Sequence, residues 1–178
     1  MKCKTIILIT YLTISMIFLL ITIFPISNYV EFYRALEKCQ VQINDVSLDL
    51  TKLNSGLVNL TVTFNVTNPT SFNGLQISTT TCNIRYFISN PQLQKQLPGK
   101  TETFAKPIEI PPHGNVPMII KFTFDSRQQQ LTVKEFIGLL LTKPNQINFI
   151  FRGQYILKAY EYSFAMPMGP FVYATNLN

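Results

Sequence analysis

The chain has 178 residues, a net charge of +6, 47% apolar residues and only 13% charged ones, about half the charged share of an ordinary soluble protein. Runs of Val, Ile, Leu and Phe exclude a disordered chain, because they bury enough surface to offset chain entropy. The basic residues are scattered (Lys52, Arg85, Lys95, Lys100, Lys106, Lys121, Arg127) rather than gathered on one face with interleaved aromatics, which argues against a nucleic-acid partner.

The first element is a membrane span. Residues 6–24 are almost wholly apolar, and no charge falls between Thr5 and Val30; about 20 residues cross a ~30 Å hydrocarbon core as a helix. A cleavable signal peptide has a shorter apolar run ending in small residues, whereas this run ends in Phe24-Pro25-Ile26-Ser27-Asn28, so an uncleaved anchor is expected. Lys2 and Lys4 precede the span without acids, and Arg34 and Lys38 follow it accompanied by Glu31 and Glu37. That asymmetry places the N-terminus in the cytoplasm and the C-terminal domain on the exported side. Residues 1–26 are therefore read as cytoplasmic stub and span, and 27–40 as a juxtamembrane stalk whose Tyr29, Phe32 and Tyr33 suit the headgroup region.

Strands follow. Val41 and Ile43, then Val46, Leu48 and Leu50, alternate with a change of phase at Asn44-Asp45, as a β-bulge produces. Val58, Leu60, Val62, Phe64 and Val66 alternate with Asn59, Thr61, Thr63, Asn65 and Thr67, one dry face and one wet, until Asn68-Pro69 ends the strand. Asn59 and Asn65 head N-x-Thr sequons on the wet face and are candidate glycosylation sites on an exported domain. Cys82, Ile84, Tyr86 and Ile88 line a third strand, Ile108 and Ile110 a short edge strand before the Pro111-Pro112-His113-Gly114 turn, and Val116 to Phe124 a longer one.

A helix is predicted over 131–142. Thr132 and Glu135 form a capping box, Val133, Phe136, Ile137, Leu140 and Leu141 make one apolar stripe, and Lys143-Pro144 ends it. It is expected to cap an open end of the fold. Ile147, Phe149 and Phe151 lead to Tyr155 and Leu157 in the next strand, with Gly153 a bulge or close approach, and Tyr160 to Met166 form the last. The result is an all-β sandwich of immunoglobulin size over 41–168, with 169–178 as a Pro-containing tail.

The chemistry-bearing residues are few. The single histidine, His113, lies in a turn without acids, and Asp45 and Asp49 share a wet strand face. No metal-ligand cluster, phosphate loop or nucleophile elbow is present; no enzyme, cofactor or metal is expected. Cys39 and Cys82 fall on the same side of the span, either as a disulfide in an oxidising compartment or as free core residues. Cys3, at the opposite border, is either acylated or free. Phe149, Ile150, Phe151, Tyr155 and Ile156 are apolar on both faces of one strand. Either a helix covers the second face, or these residues line an apolar groove for an acyl chain.

The run Leu57 to Pro69, the aromatic pair Tyr86-Phe87, the Ile110-Pro111-Pro112-His113-Gly114 turn, and Asp125-Ser126 before the helix together resemble the late embryogenesis abundant group 2 domain, also called the WHy (water stress and hypersensitive response) domain. The likeness covers about residues 41–168. It implies an immunoglobulin-like Greek-key sandwich without catalytic residues, often behind one N-terminal membrane helix. It also implies a role in desiccation and stress protection, with lipid or envelope-protein partners at the membrane.

Overall fold

The computed structural model describes residues 2–128 and 130–174, with the side chains of 2–7, 24 and 25 left aside. Cys3 as a side chain and the end of the expected tail, 175–178, lie outside the described residues. A long helix α1 (Lys2–Lys38) leads into strands β1 (Gln40–Asp49), β2 (Leu57–Asn68), β3 (Leu75–Phe87), β4 (Lys95–Ile110) and β5 (Gly114–Asp125); helix α2 (Leu131–Thr142), β6 (Asn148–Ala159) and β7 (Tyr162–Ala174) follow. The strands make two antiparallel sheets, β1-β2-β5 and β4-β3-β6-β7. Strands β3, β4 and β5 run consecutively around the sandwich, with β4 crossing to β5, and β5 returns beside β2. That closure is a Greek key.

The alternation of β2 works as its sequence dictates: Val58, Leu60, Val62, Phe64 and Val66 are fully buried. Phe64 faces Phe151 and Phe171 of the other sheet and meets Phe151 edge to face at 6.4 Å, a preferred geometry for aromatic quadrupoles. The phase change in β1 is a register shift between Ile43 and Asp45. Gly153 marks both a shift in the β6–β7 pairing and a close approach, since a Cβ there would fall 1.8 Å from the Thr81 carbonyl oxygen. Helix α2 forms over the predicted residues, and its Phe136 plugs one end of the sandwich among Tyr86, Phe124 and Phe149, at centroid distances of 5.3, 5.4 and 5.8 Å.

Four expectations change. The edge strand before the Pro-Pro turn is long, sixteen residues from Lys95; its Lys, Thr, Glu and Gly residues hide it because an edge strand with a wet face needs little apolar alternation. Residues 169–174 are not tail: β7 continues to Ala174, with Gly169 at φ 80° resetting its phase so that Phe171 returns to the interior. The Thr132–Glu135 capping box does not form. Gln130 is the N-cap without a side-chain bond, and Glu135 instead pairs with Lys95 Nζ at 2.6 Å.

The fourth concerns 27–40, which is no free stalk. Helix α1 runs on to Lys38, and Phe32, Ala35 and Leu36 are buried in the main core. The Phe32 ring lies 5.4 Å from Phe72 and 5.3 Å from Phe164. Ser71 Oγ donates to Glu31 at 3.1 Å, and Asn28 Nδ2 donates to the Tyr160 hydroxyl. Before that contact, side chains from Leu8 to Ile23 stand exposed around the whole helix; this segment is long and apolar enough to cross a bilayer.

Asn68 holds the receiving loop in place. Its side chain is fully buried: Nδ2 donates to the Phe72 carbonyl at 2.9 Å, and Oδ1 accepts from the Thr70 amide at 3.0 Å and from Thr70 Oγ1 at 2.7 Å. The Asn-Pro motif thus fixes the turn that presents Phe72 to the helix. Asn68→Ala deletes all three bonds and strands a buried carbonyl, so it should cost about 2–3 kcal/mol. Chemical denaturation followed by circular dichroism measures this, and an unchanged midpoint would contradict the clamp.

Candidate functional site

The five residues expected to line a groove do not meet. Phe149, Phe151 and Tyr155 point into the sandwich and are buried in the core, whereas Ile150 and Ile156 point outward, as alternation along a strand requires. Ile150 is covered on the outer face by polar neighbours, flooring a hollow of about 180 Å³ with Asn83, Arg85, Gln96 and Arg152. Helix α2 caps one end of the sandwich through Phe136. The side chains buried between the sheets are mainly Val, Leu, Ile and Phe.

The two cysteines are separate and free. Cys39 lies against the Tyr155 hydroxyl, and burial, opposed by that hydrogen bond, raises its pKa. Cys82 sits opposite Gly153, two residues along the sheet from Tyr155's own partner Thr80, and burial pushes it up to about 12. Both thiols stay protonated and slow to react at neutral pH. Asn59 and Asn65 lie half-exposed on the outer face of β2, the middle strand of its sheet. Asn59 accepts from Thr123 Oγ1 at 2.9 Å, whereas among the described residues no comparable side-chain bond holds Asn65. His113 is exposed in the β4–β5 turn at φ 50°, its amide bonded to the Thr70 carbonyl. Asp45 and Asp49 are both exposed, and Asp49 accepts from Thr51 and Asn59. Among the described residues, no three His, Cys, Asp or Glu gather where they could hold a metal ion.

A larger hollow than that one lies elsewhere, where α2 leans over the end of β3 and the loop leading to β4. A cavity of about 610 Å³ opens there between Tyr86, Phe87, Ile88, Leu93 and Leu139, with Gly138 of the helix facing it and the Lys95–Glu135 pair at its border. The volume is in the range of small-molecule pockets. Tyr86 is 2% exposed, and its hydroxyl has no hydrogen-bond partner among the described residues. Burial, with a smaller contribution from the Glu135 carboxylate, pushes that phenol up to about 12. Sequence reasoning placed Tyr86 on a buried face but not at a cavity, because the cavity is made by residues far apart in the chain; the glycine inside the helical stripe was the available signal.

The cavity and the helix contact sit at opposite ends. Phe72, His113 and Tyr160 mark the end that receives α1, and Tyr86, Phe136 and Phe149 mark the other. Twelve residues of β6 separate them, about 40 Å at the rise of a strand.

No family model matches the chain, and no curated protein matches it. Solved structures are similar in outline. A protein from Archaeoglobus fulgidus is 9% identical with a TM-score of 0.44, covering 80% of this chain and 99% of that one. A protein from Arabidopsis thaliana solved in solution is 11% identical with a TM-score of 0.44, covering 76% and 84%. The ApaA protein from Bordetella pertussis is 12% identical with a TM-score of 0.44, covering 79% and 97%. At these scores and identities the likenesses carry no argument about function.

Removing the orphan hydroxyl while keeping the ring, Tyr86→Phe, should raise stability by about 1 kcal/mol, since a buried unpaired polar group is lost at no packing cost. A lower melting temperature would mean that the hydroxyl is paired. The pH dependence has a definite sign. Tyr86 keeps its proton to about 12 in the fold against 10.0 as a free phenol, so the unfolded chain ionises first. Its contribution is intact below pH ~10 and is lost as the pH rises from there towards ~12. The stability gap between Tyr86→Phe and the parent should therefore widen over that window; a constant gap in denaturation midpoints would contradict it.

Proposed function

We propose that this chain is a non-enzymatic, membrane-tethered interaction domain, held on the exported face with its helix-capped end turned away from the bilayer. The observation that carries this reading is the burial of Phe32, Ala35 and Leu36 in the sandwich core by the same helix whose earlier turns are apolar on every side. A helix that ran through a bilayer and into the core would hand its direction to the domain. The end beside the helix carries exposed Tyr29, Tyr33, Tyr160 and Tyr162, side chains suited to a headgroup layer. The other end carries exposed Leu93, Leu131 and Leu141, apolar groups that a partner would cover. The stress-protective role implied by the resemblance to the late embryogenesis abundant group 2 domain is compatible with such a module. Export is supported by the charge asymmetry about the span, and it would make Asn65 the better glycan acceptor, because Asn59 is engaged by Thr123.

Photo-crosslinking amino acids placed one at a time at Leu131, Leu141 and Ile119 of the full chain in cells test this. Ile119 is exposed on the flank of the sandwich. Discrete protein adducts are expected from the two helix positions and none from Ile119. The same adducts from all three positions, or none from any, would contradict an interaction face at the capped end.

A further inference from the structure

We infer that the outer face of the four-stranded sheet carries a binding site for a compact divalent oxyanion, a phosphate or sulfate group presented from the aqueous side. The site is centred on the rung where Asn83 of β3 stands opposite Arg152 of β6. It goes beyond the tethered-domain reading, which neither uses nor requires it.

The backbone makes the place. On one side of that rung the pairing of β3 with β4 shifts, so that Asn83 is spanned by two residues, Pro98 and Gly99. On the other side the pairing of β6 with β7 shifts, so that Arg152 is spanned by Gly169 and Pro170. Two bulges at one height thus flank a single cross-strand pair, and bulges interrupt pairing and re-aim side chains. Neither glycine has a side chain to cover the rung, and a Cβ on Gly99 would fall 2.4 Å from Asn83 Oδ1. The outcome is the hollow of about 180 Å³ over Ile150. It has room for about six waters, and so for a compact ion with part of its hydration.

Charge selects the occupant. Arg85 stands opposite Ile150 and Arg152 opposite Asn83, so the two arginines are diagonal neighbours on one face. Such positions lie ~7–8 Å apart, within reach of long side chains. Among the described residues neither arginine has an ion-pair partner, since the ion pairs engage Arg34, Lys95, Lys100 and Arg127. Asn83, Gln96 and Ile150 complete the lining without a carboxylate. Arg85 Nη1 donates to Gln94 Oε1 at 3.2 Å, which steadies that guanidinium at one corner of the hollow. An anion with two charges and several oxygen atoms matches two planar donor forks, whereas a monocarboxylate neutralises only one.

Height selects the source. Strand β6 runs on from Arg152 to Ala159 at the foot, about 23 Å at the rise of a strand. A lipid headgroup beside α1 does not reach that level; this step alone rests on the tethered reading.

The full chain in phosphatidylcholine nanodiscs tests the site through the backbone amide NMR signals of Asn83 and Arg152. It is titrated with inorganic phosphate, sulfate, glycerol 3-phosphate and acetate, at constant ionic strength and at a mildly alkaline pH that keeps phosphate divalent. Saturable shifts are expected with the three divalent anions, and acetate should bind about tenfold more weakly. Arg85→Gln and Arg152→Gln should each weaken phosphate about tenfold, the loss of one charge-assisted hydrogen bond, with the melting temperature unchanged. Lys158→Gln removes the same charge from the same strand face about 20 Å away and should leave the affinity within about twofold, because screening confines charge effects to shorter range. The site is overturned if no divalent anion saturates these signals, if acetate binds as tightly as phosphate, or if Lys158→Gln weakens binding as much as Arg152→Gln. Phosphatidic acid added to the nanodiscs, with no soluble anion present, should leave both signals in place. Shifts in that arm would overturn the soluble source and the tethered orientation together, which is distinct from failure of the site, where every arm is silent.

Discussion

The Phe32 ring at the foot of the sandwich is the contact on which the rest of the architecture depends. Lodged between Phe72 and Phe164, with Ala35 and Leu36 buried behind it, it makes the last turns of a long apolar helix part of the domain's own core. Burying a Phe and a Leu side chain is worth about 1.5–3 kcal/mol each, enough to suppress a freely swivelling linker. The socket is no accident of packing, because Asn68 ties Phe72 down through three side-chain bonds. A strand-ending Asn-Pro turn and a helix thirty-odd residues earlier in the chain are thus one mechanical unit.

From that unit follows a division between the two ends. At the foot, the interior and the helix share aromatic rings, and the exposed tyrosines surround the place where the helix leaves. At the far end, Phe136 closes the sandwich from α2, but the helix then stands off the β3–β4 loop at Gly138 and leaves space over Tyr86. Between the ends, the buried faces of the two sheets are packed mainly with Val, Leu, Ile and Phe side chains.

Much of this was legible in the chain. The β2 alternation, the phase change at Asn44-Asp45, the helix over 131–142 and the special position of Gly153 are local signals, each with a physical cause that acts over a few residues. What stayed hidden is long-range or negative. Strand β4 is an edge whose wet side chains carry little alternation, and β7 passes Pro170 because Gly169 resets its phase. The capping box does not form because the helix begins at Leu131 with Gln130 as its N-cap, which puts Thr132 inside the first turn. Ile150 looked like the wall of a groove because it is apolar, yet it lies on the outer face under Arg85 and Arg152. The cavity could not be foreseen from spacing, since Tyr86, Leu93 and Gly138 converge only once the sheets have formed. The resemblance foresaw a sandwich behind a helix long and apolar enough to cross a bilayer, but not the docking of the one on the other.

A rigidly mounted sandwich makes a geometric demand that a loosely tethered one does not. With the full chain in nanodiscs containing a paramagnetic headgroup lipid, the amide signals of Tyr160 and Tyr162 should broaden strongly. That of Gly138, some 40 Å farther out along the strands, should keep its intensity. Equal broadening at the two ends, or stronger broadening at Gly138, would show that the helix does not set the domain's orientation.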